Sequence, residues 1–554
     1  MYINVKEYKN KLYITELNQD YKLTFKVQND FKSELFVETP FESEYKSLID
    51  NKPLQKIEFD SIREYKEYKW KMKETENGSV YADIPTEYQF IRKYYRNAPQ
   101  FKPRFWFLDI ETDVPDKGFP NPFETPTPVT LIQFTENDTN YKYVIGCNEY
   151  TPDEDEIYIH AEDEKDLFNK FSEMLFKRTP SITVAWNGDG FDYIYLVNRA
   201  KKIGLDPAKL FSPFGILEEH TTFVFGKQIK IEKPLGFIWL DEIECYKKGD
   251  PSGKESWSLE YMSKYVLGEE EGGKLNYKKA GYLTMRDFIT NKYNPELDTN
   301  PESKMKRLYY MIQKNPDNAQ YKSIFNKLHW RTFVKYGIID AEVLKAIEVK
   351  KGNLDAIVDL AQTMQVNIND VFATVKPWQI HIWNELYDRK QFVPAKSPFD
   401  TYKIPGGYVY ANQGLHKWVC SFDVRSLYPF CMISLNMSPE TYVRPENVPK
   451  ELSDAVKPFW RYNKEVDGAP VFSEDIFLQM LPDEKEKIKK LLIKYDLCMA
   501  PNGTFYTRDK QGIIPELVQD IYTSRKYYKK MKKDTEKELE VIKKEIKKRG
   551  LKVY

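Results

Sequence analysis

The sequence lacks the features that mark membrane, secreted and zinc-binding proteins. It has no run of 18 or more apolar residues, and its first residues lack the apolar stretch of a signal peptide. Its five cysteines lie far apart, without a CxxC pair or a nearby histidine. This spacing argues against a zinc site and favours reduced structural thiols. Together these absences predict a cytosolic protein with no membrane partner.

The sequence also lacks an excess of one charge, because 84 basic residues are matched by 84 acidic ones. The charges are nevertheless unevenly distributed. From Arg525 onward there are 13 lysine and arginine residues against 5 acidic ones, whereas residues 149–166 are strongly acidic. A basic run is usually a solvated helix face, but the aromatic residues interleaved in SRKYYKKMKK favour a surface that faces phosphates. Charge alone leaves both interpretations open.

The length of 554 residues and a hydrophobic content of 41% predict three or four domains with a large core. Short strands and one helix-like stretch, SIREYKEYKWKM, are predicted within residues 1–100. From 104 to about 240, apolar strands alternate with helical patterns, as they do in an α/β sheet. Prolines and glycines at 395–412 predict a boundary between domains.

Helical segments are predicted in the rest of the chain. Residues 285–330 and 450–495 are polar and helix-prone, which is typical of insertions. A helix is expected at 333–350 between these stretches. The basic end of the chain is predicted to be one long Lys/Glu-rich helix from about Pro515, broken only at Gly550.

Two carboxylates share one face of a predicted strand in RFWFLDIETDV. The strand period of two places Phe107, Asp109 and Glu111 on the same side. Adjacent carboxylates on a buried strand are costly unless cations neutralise them. Because DxE is common, an ordinary surface strand also explains this motif when it is taken alone.

Two further acids occur at positions with a helical pattern. WNGDGFDYIYLVNR places Asp192 in the first turn of a helix, where the helix dipole favours a carboxylate. In YGIIDAEVLKAI, helical spacing places Tyr336 and Asp340 on one apolar face. Taken singly, Asp192 is explained as an N-terminal helix acid and Asp340 as a helix-surface residue.

Taken together, the motifs supply four carboxylates that can hold two divalent cations about 3.5–4 Å apart for phosphodiester hydrolysis. Tyr336 would help to orient the attacking water. Oxygen ligands without His or Cys favour Mg²⁺ or Mn²⁺ over zinc. The order and spacing resemble DEDD-type 3′→5′ exonucleases that carry a tyrosine in the third motif. The predicted metal ligands are Asp109, Glu111, Asp192 and Asp340.

A second group of motifs begins at HKWVCSFDVRSLYPFCMISLNMSPET, residues 416–441. This stretch resembles motif A of family B DNA polymerases, and the likeness extends to the replicative polymerases of T-even-type bacteriophages. Outside the two insertions it spans nearly the whole chain. Other stretches that match the family in order are LDEIECYKKG, SWSLEYMSKYVLG, KPWQIHIWNELYDRKQFVP, IPGGYVYAN and APNGTFYTRDKQGIIPE.

The resemblance implies roles for residues of motif A. Asp423, expected at the end of a buried strand, would be a catalytic metal ligand. Tyr428 would pack under the deoxyribose and exclude a 2′-hydroxyl, although without the surrounding match a core tyrosine is the simpler interpretation. The backbone of Arg425, Ser426 and Leu427 would lie against the incoming triphosphate.

The resemblance also assigns the basic end of the chain to the fingers. Arg525 and Lys529 match basic residues that grip the triphosphate, and their spacing of four places them on one helix face. One departure from the family is Phe430, where serine is usual after SLYP.

Two motifs of the family do not occur in the sequence. These are the DTDS-like hairpin, which carries the second palm carboxylate, and the KxxxNSxYG helix. Asp423 alone lacks much of the metal site that two-metal phosphoryl transfer needs. The resemblance therefore predicts that polymerisation requires a complementary C-terminal polypeptide, as in a split polymerase. A laboratory truncation would leave the same sequence, so both origins stay open.

The implied function is that of a family B DNA-directed DNA polymerase with a proofreading 3′→5′ exonuclease and two Mg²⁺ or Mn²⁺ ions per active site. Its partners would be primer–template DNA, single-stranded 3′ ends, deoxynucleoside triphosphates and the complementary polypeptide, with a sliding clamp reached through that polypeptide. If a phage encodes the chain, the location is the host cytoplasm. One alternative is a stand-alone exonuclease with a DNA-binding polymerase remnant. Another is a non-enzymatic scaffold, against which the retained acids argue.

The predicted fold class is multi-domain α/β and α+β, with an RNase H-like exonuclease domain. An N-terminal α+β domain is expected to be discontinuous, at 1–100 and 350–395. The exonuclease domain is expected at 101–349, a partial palm with motif A at 396–511, and a truncated first fingers helix at 512–554.

Overall fold

Three features of the sequence predictions, the linker at 396–410, Arg425 and Gly550, lie outside the residues that the structure describes. For 73–74, 223–224, 227, 462–466 and 469–472 the structure describes the backbone only. The structure is a computed structural model that describes residues 1–18, 22–74, 80–99, 101–224, 227–268, 277–395, 411–424, 426–459, 462–466, 469–472 and 480–549.

Strands are concentrated in the first half of the described chain. In chain order they are β1 (Tyr2–Tyr8), β2 (Lys11–Leu17), β3 (Leu23–Gln28), β4 (Ser33–Glu38), β5 (Tyr45–Ser47), β6 (Pro53–Phe59), β7 (Val80–Tyr81), β8 (Phe105–Thr112), β9 (Val129–Glu136), β10 (Lys142–Gly146), β11 (Glu156–His160), β12 (Ile182–Ala185), β13 (Leu217–Val224), β14 (Lys227–Pro234), β15 (Ile238–Asp241), β16 (Gln391–Phe392), β17 (Tyr442–Val443), β18 (Tyr462–Val466), β19 (Ala469–Phe472), β20 (Leu497–Met499) and β21 (Phe505–Thr507).

Helices dominate the second half. They are α1 (Ile62–Glu74), α2 (Thr86–Tyr95), α3 (Glu164–Arg178), α4 (Asp192–Lys202), α5 (Pro207–Phe211), α6 (Glu242–Gly249), α7 (Leu259–Leu267), α8 (Met285–Ile289), α9 (Lys304–Lys314), α10 (Ala319–Lys351), α11 (Asn353–Met364), α12 (Lys376–Asp388), α13 (Leu427–Ser434), α14 (Lys450–Val456), α15 (Pro482–Lys494) and α16 (Ile513–Lys548). Short 3₁₀ turns occur at Ile368–Phe372, Pro445–Asn447 and Lys457–Phe459.

The chain divides into two compact units, each with its own core. The four-domain layout expected from the sequence stays a prediction. The first unit consists of residues 1–34, 58–67 and 84–384, and the second of residues 35–57, 68–83 and 385–554.

A six-stranded mixed sheet forms the centre of the first unit, in the order β11-β10-β9-β8-β12-β15. Strand β9 runs antiparallel to both β8 and β10, whereas β12 is parallel to β8 and to β15. On one face, the rings of Trp106 and Phe134 stack with centroids 3.9 Å apart, and Phe171 of α3 covers Trp106. The long helix α10 packs across β8 and β9. The side chains on the middle of β8 are therefore enclosed within the unit.

Helix α10 has 33 residues and extends the helix that was expected at 333–350. Asn318 caps its N-terminus, and Gly352 ends it in a left-handed conformation with φ 65°. Its first half belongs to the stretch predicted as an insertion. Within that stretch, Phe288 of α8 and Phe325 of α10 bury their rings with Phe333 in one aromatic cluster. Part of the predicted insertion is therefore packed in this cluster, whereas α9 has no buried residues.

The second unit contains small sheets and the long C-terminal helix. One sheet has the order β16-β5-β6-β4-β7, and another has the order β17-β21-β20. A core that includes Leu452, Ile488 and Phe505 joins α14 and α15 to the second of these sheets. The expected Lys/Glu-rich helix is present as α16, from Ile513 to Lys548. No helix of the described residues is long and apolar enough to cross a membrane.

Candidate functional site

Three of the predicted metal ligands meet in the first unit. Asp109 and Glu111 lie on β8 and Asp340 lies on α10, and each offers a carboxylate oxygen within 4.8 Å of the others. Glu111 and Asp340 are buried, and Asp109 is partly buried. Three acids this close repel one another unless a cation or protons compensate them. The structure therefore brings three of the four predicted ligands together, and their role as metal ligands stays a prediction.

Local structure explains the convergence. Asp109 and Glu111 are two residues apart on a strand, so they point to the same side, the side that α10 covers. A shift in register between Glu111 and Thr112 ends the regular pairing of β8 with β9 at this point. On α10, Tyr336 and Asp340 are one turn apart and both are buried.

Asp192 approaches the site from a different element. It is the first residue of α4, as predicted, and its carboxylate accepts hydrogen bonds from its own backbone N–H and from that of Ile110. Burial, with the nearby charges of Asp241 and Asp340, raises its pKa well above the usual carboxyl range. Asp192 lies outside the 4.8 Å group formed by the other three acids but lines the same cavity.

The sequence interpretation missed a buried cation, Lys233, which pairs with Asp189, three residues before Asp192. The Nζ of Lys233, on β14, lies 2.5 Å from Oδ1 of Asp189 and donates to the backbone oxygen of Trp239 at 3.0 Å. The backbone N–H of Asp189 donates to Asp241. Burial raises the pKa of Asp241, and Lys233 partly offsets that rise. No local sequence signal marks Lys233, because the packing of β14 beside α4 and β15 brings it near Asp189.

Tyr336 lines the same cavity and keeps its hydroxyl proton. Burial, and then the charges of Asp340, Glu111 and Asp109, raise the pKa of this phenol. Its ring packs edge-to-face against Phe288, with centroids 5.6 Å apart. A protonated, fixed tyrosine beside carboxylates can donate a hydrogen bond to a water or a phosphate oxygen.

The acids lie in an open cavity of about 960 Å³ whose other walls are mostly aromatic or apolar. A short segment after β8 contributes Phe119 and Phe123, and both rings are at least half exposed. The rings of Phe119 and Phe191 lie 5.1 Å apart. Arg286 of α8 also lines the cavity and donates to the backbone oxygen of Pro115. Aromatic faces beside a patch of acids suit a base attached to a phosphodiester.

The acids of the cavity supply oxygen ligands only. Carboxylate oxygens without imidazole or thiolate suit Mg²⁺ or Mn²⁺. Asp109, Glu111 and Asp340 therefore form a set that a divalent cation fits, and Asp192 adds a fourth carboxylate on the same cavity. Such a set can promote attack of water on a phosphodiester.

The residues of motif A lie in the second unit and differ from expectation. Asp423 was expected at the end of a buried strand, but residues 411–424 form neither strand nor helix, and Asp423 is exposed. An extended segment is stable as a strand only when a neighbour pairs with its backbone. Among the described residues, no strand pairs with this segment. The buried strand is therefore a wrong prediction for this structure.

The turn after Asp423 is well defined. Ser426 has φ 55°, a strained left-handed conformation for a residue with a side chain, and it precedes α13. Leu427 begins α13, and the ring of Tyr428 is 73% exposed. The interpretation of Tyr428 as a core tyrosine is therefore excluded. Arg425 lies outside the described residues.

Helices α13 and α16 pack together in the second unit. The departure from the family at Phe430 has a structural role, because its ring packs edge-to-face against Tyr522 with centroids 4.9 Å apart. Arg525 and Lys529 are exposed on α16, one and two turns beyond Tyr522. The two helices that carry the predicted nucleotide-binding residues are thus neighbours.

Comparison with known proteins finds one family match that includes acids of the cavity and another that includes motif A. Residues 39–262 match the family described as DNA polymerase family B, exonuclease domain, and residues 379–554 match DNA polymerase family B. The two stretches together cover well over half of the chain. The chain belongs to family B of the DNA polymerases.

Similar proteins include two phage enzymes and an archaeal one. The DNA-directed DNA polymerase of Escherichia phage RB69 is 24% identical over 93% of this chain and 52% of its own length. That of Enterobacteria phage T4 is 26% identical over 70% of this chain and 35% of its own length. The DNA polymerase of Pyrococcus horikoshii is 24% identical over 59% of this chain. The chain spans about half the length of the RB69 protein.

The two matched stretches of sequence do not include every residue of the cavity. Asp109, Glu111 and Asp192 fall within residues 39–262, but Tyr336 and Asp340 fall outside both stretches. Their assignment to the site therefore depends on geometry, since α10 brings both side chains to the acids on β8.

Proposed function

We propose that the first unit hydrolyses nucleotides from single-stranded 3′ ends of DNA, as the proofreading exonuclease of a family B polymerase. The observation that carries this proposal is the meeting of Asp109, Glu111 and Asp340 within 4.8 Å in a cavity with exposed aromatic walls. The strand order and directions of the central sheet also support the predicted RNase H-like fold, with β8 at its centre.

The roles of the residues follow from their positions. Asp109, Glu111, Asp192 and Asp340 would hold two divalent cations, Mg²⁺ or Mn²⁺. When bound, the cations supply Lewis acidity at the scissile phosphate and make water a better nucleophile. The phenol of Tyr336 keeps its proton and so would orient the attacking water by donating or accepting a hydrogen bond.

The aromatic walls would select single-stranded ends. Phe119, Phe123 and Phe191 present ring faces on which unpaired bases can stack, at about 1–3 kcal/mol for each base. A paired base is already stacked in its duplex, so it gains less from these rings. A frayed or mismatched 3′ end would therefore enter the cavity more readily than a paired one.

The proposal is tested by Asp109→Ala on a 5′-labelled single strand with Mg²⁺. We expect shortening from the 3′ end by the unaltered chain and its loss in the variant. Asp317→Ala is the matched control, because Asp317 is exposed and outside the cavity lining. Equal shortening by Asp109→Ala and the unaltered chain would contradict the site assignment.

We further propose that the second unit contributes part of a DNA polymerase active site. Asp423 would be one metal ligand, and the backbone of Arg425, Ser426 and Leu427 would face the triphosphate, with Tyr428 under the sugar. The packing of α13 on α16 supports this, because it sets the motif A turn beside the helix that carries basic residues. Arg525 and Lys529 would grip the triphosphate.

Polymerisation in this proposal needs a second palm carboxylate from outside these 554 residues. That it comes on a second polypeptide, together with contact to a sliding clamp, stays a prediction. The test is primer extension by the chain alone and with added polypeptide that carries the DTDS and KxxxNSxYG motifs. We expect extension only in the mixture, and its loss when the mixture contains Asp423→Asn.

A further inference from the structure

A glutamine that the proposed reaction does not use holds one of the acids in place. Gln133 lies on β9 directly opposite Asp109 of β8 and is only 1% exposed. Its Nε2 donates to Oδ2 of Asp109 at 2.6 Å. Nε2 of the Gln133 amide, and not its oxygen, is assigned to the position facing Asp109, because an amide oxygen there would repel the carboxylate. The contact restrains rotation of the Asp109 carboxylate about its side-chain bond.

A neutral amide is well suited to this position. A second acid would add repulsion to a group that already holds three carboxylates, and a cation would compete with a bound metal ion for the same oxygens. The glutamine side chain carries no charge, and its amide hydrogen-bonds to Oδ2 of Asp109. Oδ1 of Asp109 is therefore not taken up by this hydrogen bond.

The helix above Gln133 has a glycine at the point of closest approach. Gly337 lies between Tyr336 and Asp340 on α10 and is buried. A Cβ built on Gly337 would lie 2.7 Å from Nε2 and 2.8 Å from Cδ of Gln133. Glycine is unfavourable inside a helix, so its presence there needs a local reason. The reason in this structure is the space that the Gln133 side chain occupies under the helix.

We propose that Gln133 is a positioning residue for the metal site and that Gly337 gives it room. Gln133 holds the Asp109 carboxylate toward Glu111 and Asp340, and Gly337 lets α10 bring Asp340 and Tyr336 close enough to complete the group. This inference rests on the proposed exonuclease function and adds to it a requirement for one amide and one glycine.

The first test measures metal binding without catalysis. Mn²⁺ binding to the full chain, without DNA, is followed by loss of the free-ion electron paramagnetic resonance signal. For Gln133→Leu we expect Mn²⁺ affinity about tenfold weaker, since outer hydrogen-bond partners of metal ligands contribute about 10–100-fold. The Mg²⁺ concentration for half-maximal exonuclease rate should rise by the same factor, with much of the maximal rate recovered at high Mg²⁺.

The matched control is Gln89→Leu. Gln89 is also buried and hydrogen-bonded in the first unit, but it does not line the cavity. Loss of its amide should lower stability without changing Mn²⁺ affinity. If folded Gln133→Leu binds Mn²⁺ like the unaltered chain, as judged beside this control, the inference is overturned.

A double variant tests the role of the glycine. Gly337→Ala should weaken Mn²⁺ binding, because its methyl group collides with Gln133. Once Gln133→Ala has emptied the space, adding Gly337→Ala should cause no further loss and should favour the helix. Should Gly337→Ala alone fail to fold, the double variant still decides the matter. A double variant that binds Mn²⁺ more weakly than Gln133→Ala alone would show that the collision is not with Gln133.

Asp109→Ala separates this inference from the proposed function. If Asp109→Ala abolishes both Mn²⁺ binding and exonuclease activity while Gln133→Leu changes neither, only the positioning role fails. If Asp109→Ala changes neither, the metal site itself is wrongly assigned and the proposed function fails with it.

Discussion

The two regions that carry predicted metal ligands differ in how completely the described chain surrounds them. In the first unit, Asp109, Glu111 and Asp340 are enclosed by a strand, a helix and aromatic walls. In the second unit, Asp423 lies in an exposed segment that no described strand pairs with. In the first site, three predicted ligands already lie close together. In the second, the described chain supplies one acid and the helices beside it. A motif can therefore be intact in sequence while its site is only partly built.

Burial also affects the protonation of acids in the first unit. Burial raises the pKa of Asp192 and of Asp241 in the first unit, which is typical of groups gathered for metal binding or acid–base work. The comparison predicts that substitutions in the first unit act directly on catalysis or on its scaffold, whereas those in the second unit have small effects on the chain alone.

The largest effect is expected from Asp340→Ala. Loss of one carboxylate from the three-acid group should lower the exonuclease rate about 10³-fold, or about 4 kcal/mol of transition-state stabilisation. Asp423→Ala should leave the exonuclease rate unchanged. Both are measured as single-turnover shortening of a labelled strand. An equal loss in both variants would mean that the two acids serve one reaction.

The next largest effect is expected from Lys233→Met, because it leaves Asp189 without its buried cation. The free energy of unfolding should fall by about 3 kcal/mol. Chemical denaturation measures this value. Adding Asp189→Asn should restore part of the stability, since the uncompensated charge is then removed. A double variant no more stable than Lys233→Met would contradict the pairing.

A third effect concerns pH. Burial raises the pKa of Glu348 to about 7 and that of Glu242 well above its ordinary value. In the unfolded chain both ionise near pH 4.3, so between about pH 4 and 7 the folded state holds more protons. Stability without metal should therefore fall as pH rises through that window.

Glu242→Gln should make this fall with pH less steep. The measurement is denaturation at pH 5 and at pH 7.5 in a chelating buffer. Glu244→Gln is the matched control, because Glu244 lies on the same helix but is exposed. An unchanged slope in Glu242→Gln, equal to that of the control, would show that this acid does not carry the pH dependence.

The smallest effect is expected from Phe430→Ser, which introduces the residue usual in the family. Loss of the edge-to-face contact with Tyr522 should cost about 1 kcal/mol of stability, because Phe430 is partly exposed. Exonuclease activity should not change. Thermal unfolding checks the first expectation. A loss much larger than this would indicate that the packing of α13 on α16 depends on the Phe430–Tyr522 contact more than the exposure of Phe430 suggests.

Periodicity within single elements could be predicted from the sequence. A period of two placed Asp109 with Glu111, and helical spacing placed Tyr336 with Asp340; the structure confirms both pairs. Each pair depends on one element only, so local spacing is sufficient. The meeting of the pairs was expected from the family resemblance, and the packing of α10 across β8 and β9 accounts for it.

What the sequence did not reveal depends on pairing between elements. Gln133 reaches Asp109 through the register of β8 with β9, and Lys233 reaches Asp189 because β14 packs beside α4 and β15. Neither contact has a local signature in the sequence. The strand expected before Asp423 was wrong for a related reason, because a strand depends on a neighbour as well as on its own residues.

The measurement that tests the central claim most directly uses a 5′-labelled primer–template with a mismatched 3′ end. The chain alone is incubated with it, Mg²⁺ and all four deoxynucleoside triphosphates, and the products are separated on a gel. The account predicts shortening of the primer, abolished by a chelator, without extension. Extension of the primer would contradict the account, because a complete polymerase site would then lie within these 554 residues. A primer that is not shortened would contradict the proposed exonuclease activity.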